Sequence, residues 1–158
     1  MKPVNLDEME LYFSKMLSLN NYSIDLKEGI FLDFFFTQYW WASEQVKFSN
    51  EQVSIYYSIA HKLFENLKGN TTFLFPYSHI FIAWSIFFVF EEKRMKLDDN
   101  LLEFQCIMSD LCEKPSMFRD DQIKQIISNM CETFFQQYKM YEYILDESQP
   151  EIEIKKEV

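Results

Sequence analysis

Residues 73–90, FLFPYSHIFIAWSIFFVF, form the longest apolar run in the chain, with eight aromatic side chains in eighteen positions. Any fold must cover such a surface, so this stretch decides first between a bilayer and a protein core. Pro76 arbitrates. Inside a helix it deletes a backbone hydrogen bond and clashes with the preceding turn, whereas at the first helical position it costs nothing and pushes Phe75 to an extended conformation. A helix starting at Pro76 leaves about fifteen residues before Glu91, roughly 22 Å of rise against ~30 Å of hydrocarbon. Ser78, His79 and Ser85 weaken a membrane span further. The run therefore predicts a core helix starting near Tyr77, with Ile80, Phe81, Trp84, Phe87 and Phe88 as the hub of a six-helix domain.

A chain of 158 residues is about the size of one domain. Its two glycines, Gly29 and Gly69, and four widely spaced prolines leave a sandwich or barrel without the corners it needs every 8 to 12 residues or so. The expected fold is all-α: a single compact bundle of about six helices around a central aromatic-rich helix. That bundle spans residues 1–145, and 146–158, DESQPEIEIKKEV, form a flexible acidic tail with little to bury. The Glu-Ile-Glu-Ile alternation in the tail has the pattern of a strand that could join a partner's sheet.

Fifteen Lys plus Arg against twenty-five Asp plus Glu give a formal charge of −10. Phosphate backbones and anionic membranes are gripped by clustered basic residues, so nucleic acid and membrane surfaces are not expected partners. Basic or neutral proteins are. The three cysteines, Cys106, Cys112 and Cys131, read as reduced thiols of a cytoplasmic-type compartment, because MKPVNLDEME is too polar for a secretory signal. None is spaced as CxxC, and His61 and His79 lie far from them, so no metal site is expected.

Along the chain, Leu6, Met9, Phe13, Met16 and Leu17 recur at helical spacing behind Asp7 and Glu8, acids that suit a helix start. Asn20 to Ser23 reads as a turn, with Ser23 or Asp25 to cap the next helix. That second helix, roughly Leu26 to Lys47, is apolar most of the way round. Phe31, Phe35 and Tyr39 share one face, Leu32, Phe36 and Trp40 the next, and Phe34 and Trp41 point elsewhere. Such a helix is either central in a bundle or shared with another chain. Aromatic anchors dominate interface energetics, which makes Phe34, Trp40 and Trp41 candidate partner-binding residues.

Phe48-Ser49-Asn50-Glu51-Gln52-Val53 is the clearest local signal. Ser49 can accept from the Gln52 amide while the Gln52 side chain returns to the Ser49 amide, and Phe48 can pack on Val53, so capping box and hydrophobic staple coincide. The helix it opens keeps a 3.6 period through Val53, Tyr56, Tyr57, Ala60, Leu63, Phe64 and Leu67, and Gly69 suits the left-handed residue that ends it. His61, with no nearby acid-base partner, reads as a surface or boundary residue. Asp98-Asp99-Asn100 reads as a solvated helix end and cap, not a calcium loop, since the sixth position counted from Asp98 is not Gly. Leu101, Phe104, Met108 and Leu111 make the stripe of a fifth helix.

Phe118-Arg119-Asp120-Asp121-Gln122-Ile123 then echoes Phe48 to Val53 position for position, although Arg119 cannot cap as Ser49 does. An old duplication and shared capping physics both produce such an echo. From Ile123 the stripe continues through Ile126, Ile127, Met130, Phe134, Tyr138, Tyr141 and Leu145, a helix of about 25 residues long enough to brace the bundle. Tyr138, Tyr141 and Tyr143 join the candidate partner-binding set.

No catalytic residue is assigned and no cofactor is expected: the chain has no phosphate loop, GxSxG or HExxH. A Cys/His pair from Cys106 or Cys131 with His79 is weighed against small apolar core cysteines, and the latter reading is preferred. Twenty-nine aromatics exceed what such a core needs, which favours a binding module over an enzyme.

The capped segment KFSNEQVSIYYSI at 47–59, with MFRDDQIKQIISNMCETFFQQYKMYEYIL at 117–145, resembles the CLAMP family of small cilia- and flagella-associated proteins. Phe48 to Gln52 and Phe135 to Tyr143 are its sharpest marks, and the resemblance covers roughly residues 30–145. It implies a non-enzymatic structural subunit of the motile axoneme, in a central-pair projection complex associated with calmodulin, that supports regulation of ciliary beating. Its partners are then other axonemal proteins, and an acidic domain is poorly suited to bind acidic tubulin tails directly. A general helical adaptor outside cilia, or a membrane-associated helical protein, would share the physical features of the chain.

Overall fold

The computed structural model describes residues 6–69, 94–114 and 117–146. Helix α1 is Leu6–Met16, α2 Leu26–Trp40 and α3 Asn50–Lys68; α4 is Leu97–Cys112, α5 Asp120–Thr133 and α6 Tyr138–Leu145. The described residues contain no strand, and the all-α expectation holds. The apolar run 73–90, with its expected helix and hub of Ile80, Phe81, Trp84, Phe87 and Phe88, lies outside the described residues. So do His79 and the tail beyond Asp146.

Within the described residues the hub is a cluster of four rings. Phe34 of α2 lies 4.9 Å from Phe64 of α3, 5.5 Å from Phe134 and 6.0 Å from Tyr141 of α6. Phe64 and Phe134 each contact Tyr141 as well, at 5.6 and 6.0 Å. These separations fall in the range where tilted and edge-on aromatic pairs add stabilisation to area burial. One side chain from each of four segments thus closes the core.

The helix ends follow from their residues. Asp25 caps α2 by accepting from the Lys27 amide. Ser49 accepts from the Gln52 amide at 3.3 Å while Gln52 Oε1 accepts from the Ser49 amide at 3.1 Å, closing the capping box that the sequence predicts. Gly69, at φ 77°, ends α3 in the left-handed region. A Cβ there would stand 3.0 Å from the Arg94 amide nitrogen, so only glycine lets the chain re-enter at this point. The re-entry is fixed by the Met95 amide, which donates to the Asn66 carbonyl at 2.9 Å.

Several expectations are corrected. The second helix does not run unbroken to Lys47: after Trp40 it widens into a π-helical turn, Trp41–Gln45, and Lys47 takes a left-handed φ of 58°. The last helix is broken into α5 and α6 by a 3₁₀ turn, Phe135–Gln137, which lets Phe134 and Phe135 both turn inward against Tyr138. Asn100 is no solvated cap but a fully buried residue whose amide donates to the Leu63 carbonyl and the Tyr138 hydroxyl. His61 is buried rather than superficial, packed 5.2 Å from the Phe35 ring. Cys106 and Cys112 are exposed and Cys131 half-buried, so none is a core cysteine.

Candidate interaction surface

The two echoing segments meet in space. Phe48 and Phe118 pack edge to face at 5.5 Å, which sets the starts of α3 and α5 side by side. Gln52 Nε2 then donates to the Met117 carbonyl at 2.8 Å and to Gln122 Oε1 at 3.2 Å. Gln122 Oε1 also accepts from the Arg119 amide, completing half a capping box. Arg119, which has no acceptor to offer, instead forms a two-point ion pair with Asp121, at 3.0 Å on both oxygens. The hydrogen bond from Arg119 holds the Asp121 carboxyl below its usual range.

Behind this junction lies a polar network whose centre is fully buried. Gln38 Oε1 accepts from the Tyr56 hydroxyl and from Asn129 Nδ2, and Gln38 Nε2 donates to Thr133 Oγ1 at 3.0 Å. Burial raises the Tyr56 phenol far above its ordinary value, which keeps it a neutral donor. The network ties α2, α3 and α5 together. Its outermost member, Asn129, also lines a groove of about 450 Å³ between residues 41–46 and α5. Trp41 makes one wall, pinned against Phe48 at 5.7 Å and Tyr56 at 5.1 Å, and Gln122, Gln125 and Asn129 face it from α5.

The six expected partner-binding residues separate. Phe34, Tyr138 and Tyr141 are buried in the core of this chain, the two tyrosines with a hydroxyl turned to an internal hydrogen bond. Trp40 and Trp41 are half-buried and Tyr143 is 60% exposed. Trp41 stands at the end of the bundle where α3 starts. Tyr143 belongs to the last turn of α6, whose Leu145 carbonyl is bound by Arg94 beside Gly69, at the end where α3 stops. Sequence reasoning did not find the groove, because its amides come from helices separated by some eighty residues; only Phe48 and Phe118, as echoing positions, signalled it. It also did not find that Tyr12 of α1, and Ile24 and Leu26 at the start of α2, stay exposed.

No group of His, Cys, Asp and Glu among the described residues could hold a metal ion, and no described helix is long and apolar enough to cross a membrane. No curated protein and no solved structure matches the chain. A family model does, over residues 37–153: CLAMP, described as flagellar C1a complex subunit C1a-32, a family of the cilium and flagellum axoneme. The match takes in the π turn, both echoing helix starts, the groove and the broken last helix, and extends beyond the expected domain boundary at 145. The chain belongs to the CLAMP family.

Proposed function

We propose that this protein is a non-enzymatic structural and assembly subunit of a central-pair projection complex, acting through protein contacts that support regulation of ciliary beating. The observation that carries the reading is the family match across the α3–α5 junction. Physical chemistry supports it in two ways. A formal charge of −10 disfavours a direct grip on acidic tubulin tails and favours contact with other proteins of the complex. The half-buried Trp40 and exposed Tyr143 leave aromatic surface of the kind that anchors permanent interfaces.

A tagged copy in a ciliated cell tests the reading. It is expected in the axoneme, co-purifying with central-pair projection components; a diffuse copy that co-purifies with none of them overturns it. Trp40→Ala with Tyr143→Ala is expected to reduce co-purification at least fivefold while the circular dichroism of the chain stays helical. Undiminished co-purification would remove these two residues from the interface.

A further inference from the structure

The groove beside Trp41 combines a distorted backbone, a fixed indole and a row of side-chain amides. Its wall is the π turn Trp41–Gln45, a distortion that recurs at functional sites, followed closely by Lys47 in a left-handed conformation that a residue with a Cβ adopts only at a cost. Trp41 is held rigid by Phe48 and Tyr56, yet keeps part of its surface exposed. Opposite it, Gln122, Gln125, Asn129 and Glu132 recur at three- and four-residue spacing along one face of α5, with Gln45 on the near side. Side-chain amides both donate and accept, which suits them to an extended backbone.

Charge selects the occupant. Three charged residues line the groove, Arg119, Asp121 and Glu132. The first two neutralise each other through their two-point pair, which leaves Glu132, hydrogen-bonded by the neutral Ser128 hydroxyl at 2.9 Å, as the uncompensated charge of the lining. A guanidinium is planar, stacks on an indole face and pairs with a carboxylate, the two kinds of group that Trp41 and Glu132 bring to this one groove.

We propose that this groove is the docking site for an extended, arginine-bearing segment of another protein, its guanidinium lying against Trp41 and paired with Glu132 while Gln45, Gln122 and Gln125 bond its backbone. The inference rests on the reading of the protein as a subunit that works by protein contacts. It names the partner's chemistry.

The test uses the full chain, isotope-labelled, titrated with capped nonapeptides of Gly, Ser and Val carrying one central arginine, and with the same peptides carrying citrulline or glutamate instead. Saturable shifts of the Trp41 indole N–H and the Gln45, Gln122 and Asn129 side-chain amides are expected with arginine. Citrulline, the same shape without the charge, is expected to bind about tenfold more weakly, and Glu132→Gln to weaken the arginine peptide about threefold, the range of exposed ion pairs and cation–π contacts. Glu132 is exposed on α5, so this variant folds. Equal binding of arginine and citrulline peptides, shifts mapping elsewhere, or no saturation at millimolar peptide overturns the proposal. Co-purification of the tagged chain with axonemal components is read separately, so the groove can fail while the subunit reading stands.

Discussion

Gln38 shows what one buried polar side chain does here. It is fully buried, yet each of its polar atoms is bonded, to Tyr56, Asn129 and Thr133. Replacing it with leucine keeps the volume but strips an acceptor from Tyr56 and Asn129, and an unsatisfied buried group costs about 1–3 kcal/mol. Gln38→Leu is therefore expected to destabilise the fold by about 2 kcal/mol, read as a lower urea midpoint; an unchanged midpoint would mean that the network adds nothing net. His61 makes a second prediction. Burial first, and the charge of Lys68 second, lower its pKa from 6.5 to about 4. Between those values the unfolded chain binds the extra proton and the folded one does not, so stability is full above about pH 6.5 and falls as pH drops toward 4. The loss should reach about 2 kcal/mol near pH 5 and be absent in His61→Phe, measured as urea midpoints between pH 5 and 7 where carboxylates contribute least.

At the scale of the element, the decisive contact is between two helix starts. Gln52 closes the box of α3 and also donates to Met117 and Gln122, so its removal affects α5 as well as its own helix. Ser49→Ala should cost about 1 kcal/mol, the usual worth of a cap. Gln52→Ala should cost more, and a double-mutant cycle with Gln122→Ala should return a coupling of about 0.5–1.5 kcal/mol. Additive effects would show that the Gln52–Gln122 hydrogen bond adds no coupling between the two helix starts. The box at Ser49 and the left-handed stop at Gly69 were legible because each is decided by residues within one turn of helix. The π turn and the 3₁₀ break were not: Trp41–Gln45 and Phe135–Gln137 carry no Pro or Gly, and the distortions arise where neighbouring rings, Tyr56 beside Trp41 and Phe104 beside Phe135, fix side chains in place.

For the molecule as a whole, the meeting of Gly69 with Arg94 has a consequence. Because the Met95 amide bonds the Asn66 carbonyl and Arg94 binds the end of α6, residues 70–93 leave and return at one point. The composition of residues 73–90 is that of a hub, so replacing residues 71–92 with a short Gly-Ser linker should abolish the cooperative transition read by calorimetry. A retained transition would show that the remaining helices hold the fold through their own contacts.

The sequence by itself determined the helical class, the cap at Ser49, the stop at Gly69 and the family, since all of these are written in local spacing and short motifs; between Ser23 and Asp25 as the cap of α2, the structure chose Asp25. Tertiary structure decided which aromatics are core and which are surface. Phe34, Tyr138 and Tyr141 turn inward while Trp41 and Tyr143 keep surface, because burial on a helix that is apolar all round depends on which neighbours arrive, and those come from far along the chain. It also decided that the echoing helix starts touch, which places a polar groove where the sequence shows only two similar segments some seventy residues apart.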